Sequence, residues 1–374
     1  MKKVMNVLFA VIFFICLILP GVTMELGKEV KSEIDNEYLP EIEISSLKEF
    51  PSSFTTFVDK RIGFRQEALS LYQKINDSVF SVMEHPAYMY GENGYVYHKD
   101  SKFIQNFQHL NLDEEYAEEF SDALLGFQTY AQDQGMDFLY FYIPDKETVY
   151  PEFYPKGINV YGDISRTDQI LQALDEKGVN HYYAKDAMVE GKKTFQVNNV
   201  KFDSGHWNEH GAYVAIRQLY SILQERYPQL QLIEQGDYHI DYVLKKSLQT
   251  SHFEINEEVP EYSLKETNAK NRTKKFKKRI LISYPNNHVC RYVNPDCKDQ
   301  PKLLIFGDSY LAGMEHFFIN NFSEYTYIHR YNVYNQEFFE YYVDQIKPDI
   351  VIFENPERSH TIDLYKSETV SENE

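Results

Sequence analysis

Two short stretches carry residue types able to do chemistry together. Phe306-Gly307-Asp308-Ser309-Tyr310 closes an apolar run, Leu303 to Phe306, that reads as a buried strand. A serine hydroxyl is a weak nucleophile until a base takes its proton, and histidine is the natural base near neutral pH. Asp203-Ser204-Gly205-His206-Trp207 supplies such a base, with an aspartate three residues before it. An aspartate beside a histidine fixes the ring's tautomer and stabilises the imidazolium. Ser309, His206 and Asp203 are therefore the expected nucleophile, general base and orienting acid. Gly307 lets the chain turn tightly. In the plainer reading Asp308 or Ser309 only caps a helix. The backbone N–H of Tyr310 is expected to help hold an oxyanion at that helix's N-terminus.

Other residues compete for roles. His206 and His210 are four apart, a spacing used in zinc sites. Glu209 is not placed as in H-E-x-x-H and no third ligand suggests itself, so no metal is expected. Arg330 ends the strand after the nucleophile helix, where it would either reach the substrate or form a salt bridge. Lys146 and Tyr150 end another strand and are candidates to line the cleft. Trp207, the single tryptophan of the chain, is expected to pack behind the histidine.

Elements that could position these residues alternate along the chain. Helical spacing is read over Asp113 to Gln134, Asp163 to Lys177, Asn208 to Arg226, Leu311 to Asn320 and Gln336 to Ile346. Strand-like runs are Asp137 to Ile143, Val179 to Tyr183, Leu303 to Phe306, Thr326 to His329 and Ile350 to Phe353. Such alternation predicts an α/β domain, a doubly wound, mainly parallel sheet with helices on both faces. Ligands then bind at the carboxyl ends of the strands, where both motifs fall. Residues 227–300 interrupt the pattern. They hold a basic cluster, Lys270, Arg272, Lys274, Lys275, Lys277, Lys278 and Arg279, read as a solvated loop or as a docking patch for anionic polymer or lipid headgroups.

Composition limits the classes of function. The 374 residues carry 38 Lys+Arg against 57 Asp+Glu, a formal net charge of −19. Nucleic-acid binding needs clustered positive charge and is excluded on that balance. A hydrophobic fraction of 43% can bury a sizeable core, which excludes a disordered chain. Three cysteines are too few for a disulfide scaffold or a four-thiolate zinc module. Cys290 and Cys297 are expected to close a short loop if the domain is exported, the alternative being two free thiols.

The N-terminus points to export. Lys2 and Lys3 precede 21 uncharged residues, 4–24, long enough to cross a bilayer core. The lysines keep their end on the cytoplasmic side. An uncleaved anchor is favoured over a cleaved signal peptide because Gly21-Val22-Thr23 is a mediocre cleavage site. The expected organisation is a transmembrane signal anchor (1–24), a polar stalk (25–48), a catalytic domain (49–364, with the insertion at about 227–300) and a disordered acidic tail (365–374).

GDS after a strand, with D-x-x-H-W earlier in the chain, resembles the SGNH hydrolase superfamily, and more specifically the AlgX/AlgJ-type, or DHHW-type, polysaccharide O-acetyltransferases. Supporting segments follow in the family's order: 50–65 (FPSSFTTFVDKRIGFR), 90–98 (YGENGYVYH, with Tyr95 in place of the family's Trp), 143–155, 202–212, 303–310 and 350–358. Two residues separate Asp203 from His206, where AlgX-like proteins often have one. Only 65 residues follow Ser309, which leaves no room for the separate carbohydrate module of AlgX, so the chain is more similar to AlgJ-like or PatB-like members. The resemblance implies an extracytoplasmic enzyme that moves acetyl groups onto hydroxyls of a cell-envelope polysaccharide through an acetyl-serine. It needs no cofactor, and implies a multispanning MBOAT-type membrane partner as acetyl donor. The same triad would serve a carbohydrate acetylesterase, and a catalytically silent polysaccharide-binding scaffold is the third reading.

Overall fold

The computed structural model describes residues 2–27, 29–30, 38–42, 50–80, 82–249, 253–276, 289–330 and 335–359. Lys277, Lys278 and Arg279 of the basic cluster, much of the expected stalk and the acidic tail lie outside these. The chain divides into two compact units, one of residues 1–90 with 245–257, the other of residues 91–244 and 258–374.

The first unit holds helix α1 (Lys2–Val22), long and apolar enough to cross a membrane, then α2 (Phe50–Arg61), α3 (Arg65–Ile75), a π-helical turn at Asn76–Phe80 and strand β1 (Tyr88–Tyr90). Its organising residue is Arg61, buried at the end of α2. The guanidinium donates to the carbonyls of Glu25 (2.9 Å), Gly27 (2.8 Å), Leu39 (3.2 Å) and Pro40 (2.9 Å). Charge-assisted bonds of this kind compensate the burial of a cation.

The second unit runs β2 (Val96–His98), α4 (Ser101–Phe107), α5 (Glu114–Asp133), β3 (Asp137–Ile143), α6 (Lys146–Val149), α7 (Arg166–Lys177), β4 (His181–Tyr183), α8 (Lys185–Gly191) and α9 (Glu209–Leu223). A hairpin follows, β5 (Tyr238–Ser247) with β6 (Glu254–Leu264), whose tip counts with the first unit. Then come β7 (Lys270–Asn271), α10 (Thr273–Phe276), β8 (Val289–Val293), β9 (Lys302–Gly307), β10 (Glu324–His329), α11 (Gln336–Ile346) and β11 (Ile350–Pro356). Seven strands form one sheet in the order β4-β3-β11-β9-β10-β8-β7. The first five are parallel, and β8 and β7 add antiparallel at one edge.

Local sequence explains the element ends. Asp113 caps α5 by accepting from the Tyr116 N–H, and Gly135 takes the left-handed conformation just past its end. Ser165 and Asp168 close a capping box on α7, which stops at Gly178 (φ 68°). Alternation along β3 sends Phe138, Tyr140 and Tyr142 to the face covered by α5, α7 and α11, where Phe120, Leu124, Phe127, Leu174 and Phe339 meet Phe306, Val351 and Phe353. Phe141 faces the other way, stacked on Tyr182 with ring centroids 5.2 Å apart. A doubly covered sheet of this kind is buried on both faces, which is why its central strands read as continuous apolar runs.

Two expectations fail. Residues 311–320 are not a helix: turns lead through Gly313 (φ 86°) to a short 3₁₀ segment, Glu315–Phe317. The amides of Leu311 and Ala312 both return to the Asp308 carbonyl (3.2 and 3.1 Å), and the left-handed glycine ends the coil before a second turn forms. Cys290 and Cys297 are free thiols, Cys290 buried in β8 and Cys297 donating to the Asn320 carbonyl at 3.1 Å. The insertion is also more ordered than expected, since β7 and β8 extend the main sheet.

Candidate active site

Strand β9 delivers Ser309 to the carboxyl edge of the sheet, and the loop before α9 delivers His206 and Asp203. The loop's shape is written in its own polar groups. Asp203 Oδ1 accepts from the backbone N–H of Gly205 (2.7 Å) and His206 (2.8 Å), closing an Asx-type turn. Asn208 caps α9 through the Gly211 N–H (3.1 Å) and donates to the Gln196 carbonyl (2.6 Å), so the loop is fixed at both ends.

The three residues then form one hydrogen-bonded chain. Asp203 Oδ2 lies 2.8 Å from His206 Nδ1, and His206 Nε2 lies 2.8 Å from Ser309 Oγ. Asp203 is buried, His206 is half-buried and Ser309 is exposed. Burial alone would raise the Asp203 carboxyl. The neighbouring His206 and the two backbone N–H groups outweigh it and hold the carboxyl well below the usual carboxylate range. Asp203 therefore stays ionised, which keeps the Nδ1 proton on its side and leaves Nε2 to accept from the serine.

Lys146, expected in the cleft, is fully buried beneath this loop. Its ammonium donates to the carbonyls of Val96 (2.9 Å), Val200 (3.0 Å) and Asp203 (3.1 Å), one acceptor for each N–H. Tyr150 is buried too, its hydroxyl accepting from the Val197 N–H at 3.1 Å. Tyr310, not Trp207, lies against the histidine ring, with centroids 4.6 Å apart; Trp207 sits behind Tyr310 and donates to its carbonyl at 2.9 Å. The Tyr310 backbone N–H, expected in an oxyanion hole, is taken up by Asp308 Oδ1 at 2.9 Å. Arg330 is buried, with its guanidinium 3.7 Å from Asp308 Oδ2 and 2.7 Å from Ser359 Oγ, so it takes the salt-bridge role. His210 faces away from the triad, hydrogen-bonded to Tyr262 and Tyr242 (2.8 and 3.0 Å).

The end of β11, inside the 350–358 segment, contributes groups to which the sequence assigned no role. Arg358 donates to Asp145 Oδ1 (2.6 Å) and to the Tyr310 hydroxyl, and that hydroxyl lies 2.9 Å from the Gly205 carbonyl. A Cβ on Gly205 would fall 2.3 Å from this guanidinium, so any larger residue there would have to displace Arg358 from its bonds to Asp145 and Tyr310. Glu354 accepts from the Asp308 N–H (2.8 Å) and would lie 2.9 Å from a Cβ on Gly307. Burial, and then the Asp308 charge, push the Glu354 carboxyl well above the usual range. Ser204 Oγ contacts His98 Nε2 at 3.0 Å; burial and the nearby Arg358 hold that imidazole down to about 3, hence neutral. The signal available in the sequence was the polar tail, ENPER, of an otherwise apolar last strand.

Comparison with known proteins agrees with this fold. PatB1 from Bacillus cereus superposes with a TM-score of 0.52 at 13% identity, covering 71% of this chain and 94% of its own. The same protein carrying a sulfonyl adduct gives 0.53 at 12% identity, with 73% and 97% covered. A DHHW family protein from Eubacterium siraeum gives 0.51 at 15% identity, with 75% and 93% covered. No curated protein sequence matches the chain. A family model described as the SGNH hydrolase-like domain of the acetyltransferase AlgX matches residues 89–278, a span that takes in His98, Lys146, Asp203 and His206. That match covers just over half of the chain, which therefore belongs to the AlgX family of SGNH hydrolase-like acetyltransferase domains and is an O-acyltransferase.

Proposed function

We propose that the enzyme transfers acetyl groups to hydroxyls of a cell-envelope polysaccharide through an acetyl-Ser309 intermediate. The observation that carries this reading is the unbroken chain Asp203–His206–Ser309, with both of its bonds at 2.8 Å. His206 Nε2 takes the serine proton as Oγ attacks the acetyl carbonyl. The donor's acyl bond then breaks, and the same proton passes to the leaving group. In the second half, His206 takes a proton from a sugar hydroxyl whose oxygen attacks the acetyl carbon; the bond to Ser309 Oγ breaks and the proton returns to Oγ. The developing oxyanion has the Ser309 N–H available, since that amide makes no hydrogen bond among the described residues. Tyr310 N–H joins it if Asp308 turns away.

The apolar N-terminal helix and the family support a reading of location and partners. Helix α1 serves as an anchor that leaves the catalytic unit outside the membrane. Acetyl groups reach it from a multispanning MBOAT-type partner. Exposure of Ser309 also admits water, which favours hydrolysis of the acyl-enzyme as the second reading.

Treating the protein with an activated acetyl ester, followed by peptide mass spectrometry, tests the proposal. An acetyl group on Ser309 that survives in water and is discharged onto envelope oligosaccharide is the expected result. Discharge to water alone would make the protein an esterase. Equal labelling of wild type and Ser309→Ala would sink the triad.

A further inference from the structure

The first unit wears its apolar side chains outward. Along α3 and the π turn, Leu71, Tyr72, Ile75, Val79 and Phe80 are each between 46% and 66% exposed, and Phe64, just before α3, is 49% exposed. Phe64, Leu71, Ile75 and Val79 recur at spacings of seven, four and four, the spacing of one helix face. Two polar groups of these elements are spent inside the unit. Lys74 pairs with Glu254 at 2.9 Å, and Asp77 accepts from the Tyr90 hydroxyl at 2.7 Å. The apolar face is thus a surface left over after the unit has packed.

Its position says what it meets. The elbow between α2 and α3 is clasped to the last turn of α1. Gly63 N–H donates to the Pro20 carbonyl (2.9 Å), Glu25 N–H donates to the Arg61 carbonyl (2.9 Å), and a Cβ on Gly63 would lie 1.9 Å from Thr23 Oγ1. Pro20 is two residues from the end of α1, hence about 3 Å inside it along the axis. Phe64 and the start of α3 are therefore held at the level where α1 leaves the hydrocarbon. Residues 50–80 carry four cations and three anions in a chain whose net charge is −19, so this stretch lacks the charge that anionic headgroups would repel.

We propose that the Phe64–Phe80 face of α3 lies in the outer membrane–water interface, as a second, lipid-bound foot beside the spanning helix. Aromatic and aliphatic side chains buried to the depth of the headgroup boundary are how such interfacial helices bind. The foot prevents α1 from rotating freely about its axis, because its two attachments to the bilayer are joined by the Gly63–Pro20 clasp. The inference rests on the reading of α1 as a membrane span.

The full-length chain, reconstituted into vesicles of phosphatidylethanolamine and phosphatidylglycerol with brominated acyl chains, tests it. Native Trp207 is buried in the catalytic unit and supplies the unquenched reference. Ile75→Trp and Val79→Trp are made separately, so that one misfolded variant leaves the other readable, and Leu17→Trp reports on α1. The expected result is loss of most of the added emission in all three variants. Quenching at Leu17→Trp alone would overturn the foot and assign the apolar face to a protein partner, leaving the anchor intact. No quenching at Leu17→Trp would overturn the anchor reading and the foot with it.

Discussion

Arg61 and Lys146 do the same job in two regions with opposite surfaces. Each is a buried cation whose N–H groups go to backbone carbonyls, four for Arg61 and three for Lys146. In the catalytic unit the carbonyls belong to segments around the Asp203 loop, and aromatics such as Tyr97, Tyr140 and Phe141 are sealed inside. In the N-terminal unit they belong to segments leaving α1, and the aromatics of α2 and α3 remain outside. A cation of this kind orders loops that have too little apolar surface to order themselves. What the ordered loop then presents, the Asp203–His206–Ser309 chain or an exposed apolar helix face, depends on the side chains around it.

The comparison is broken most severely at Lys146. Lys146→Met removes the donor for three buried carbonyls and frees the Asp203 loop to shift, and a displacement of about 1 Å at a catalytic group costs on the order of 10²-fold in rate. We expect kcat to fall by that factor with membrane retention unchanged. Wild-type kcat in Lys146→Met would reduce the lysine to a packing residue. Arg61→Ala strikes the other unit. Leaving buried carbonyls unpaired costs about 1–3 kcal/mol, so limited proteolysis between residues 50 and 80 should accelerate while acyl transfer to a small soluble acceptor stays normal. Equal loss in both readouts would show that the units are not independent.

The smallest effect is a pH dependence confined to the catalytic unit. Burial, with Asp145 nearby, pushes the Glu147 carboxyl up to about 8. Between its unfolded value of about 4.3 and that raised value the native state holds a proton the unfolded chain lacks, so stability falls as pH rises through the window. Glu147→Gln removes the titration. Its melting temperature should exceed wild type near pH 8 and converge with it near pH 4. Parallel curves across that range would place the proton elsewhere.

The α/β pattern was legible because the central strands are apolar on both faces and the helices end at Gly135 and Gly178. That Ser309, His206 and Asp203 form one hydrogen-bonded chain was legible because the chemistry proposed for them restricts residue type. Lys146 and Tyr150 misled because a strand-end position was taken for exposure, whereas both side chains turn under the loop. The roles of Arg358, Glu354 and Asp145 are set by contacts 46 to 213 residues apart in sequence, which no local pattern encodes. Residues 311–320 look helical in composition, but the returns to the Asp308 carbonyl and the left-handed Gly313 stop the coil after one turn.

The strand order also carries a lesson about assembly. Strand β11 comes last along the chain yet lies between β3 and β9, in register with both. A chain emerging N-terminus first can pair β3 with β4, and β10 with β8 and β9. The half under the Asp203 loop and the half bearing Ser309 meet only when β11 slots between them. Until then each half shows an open apolar edge, the kind of surface that invites aggregation and proteolysis. Insertion of β11 therefore brings Ser309 to His206 and closes both interior edges in one step, leaving β4 and β7 as the outer edges of the sheet.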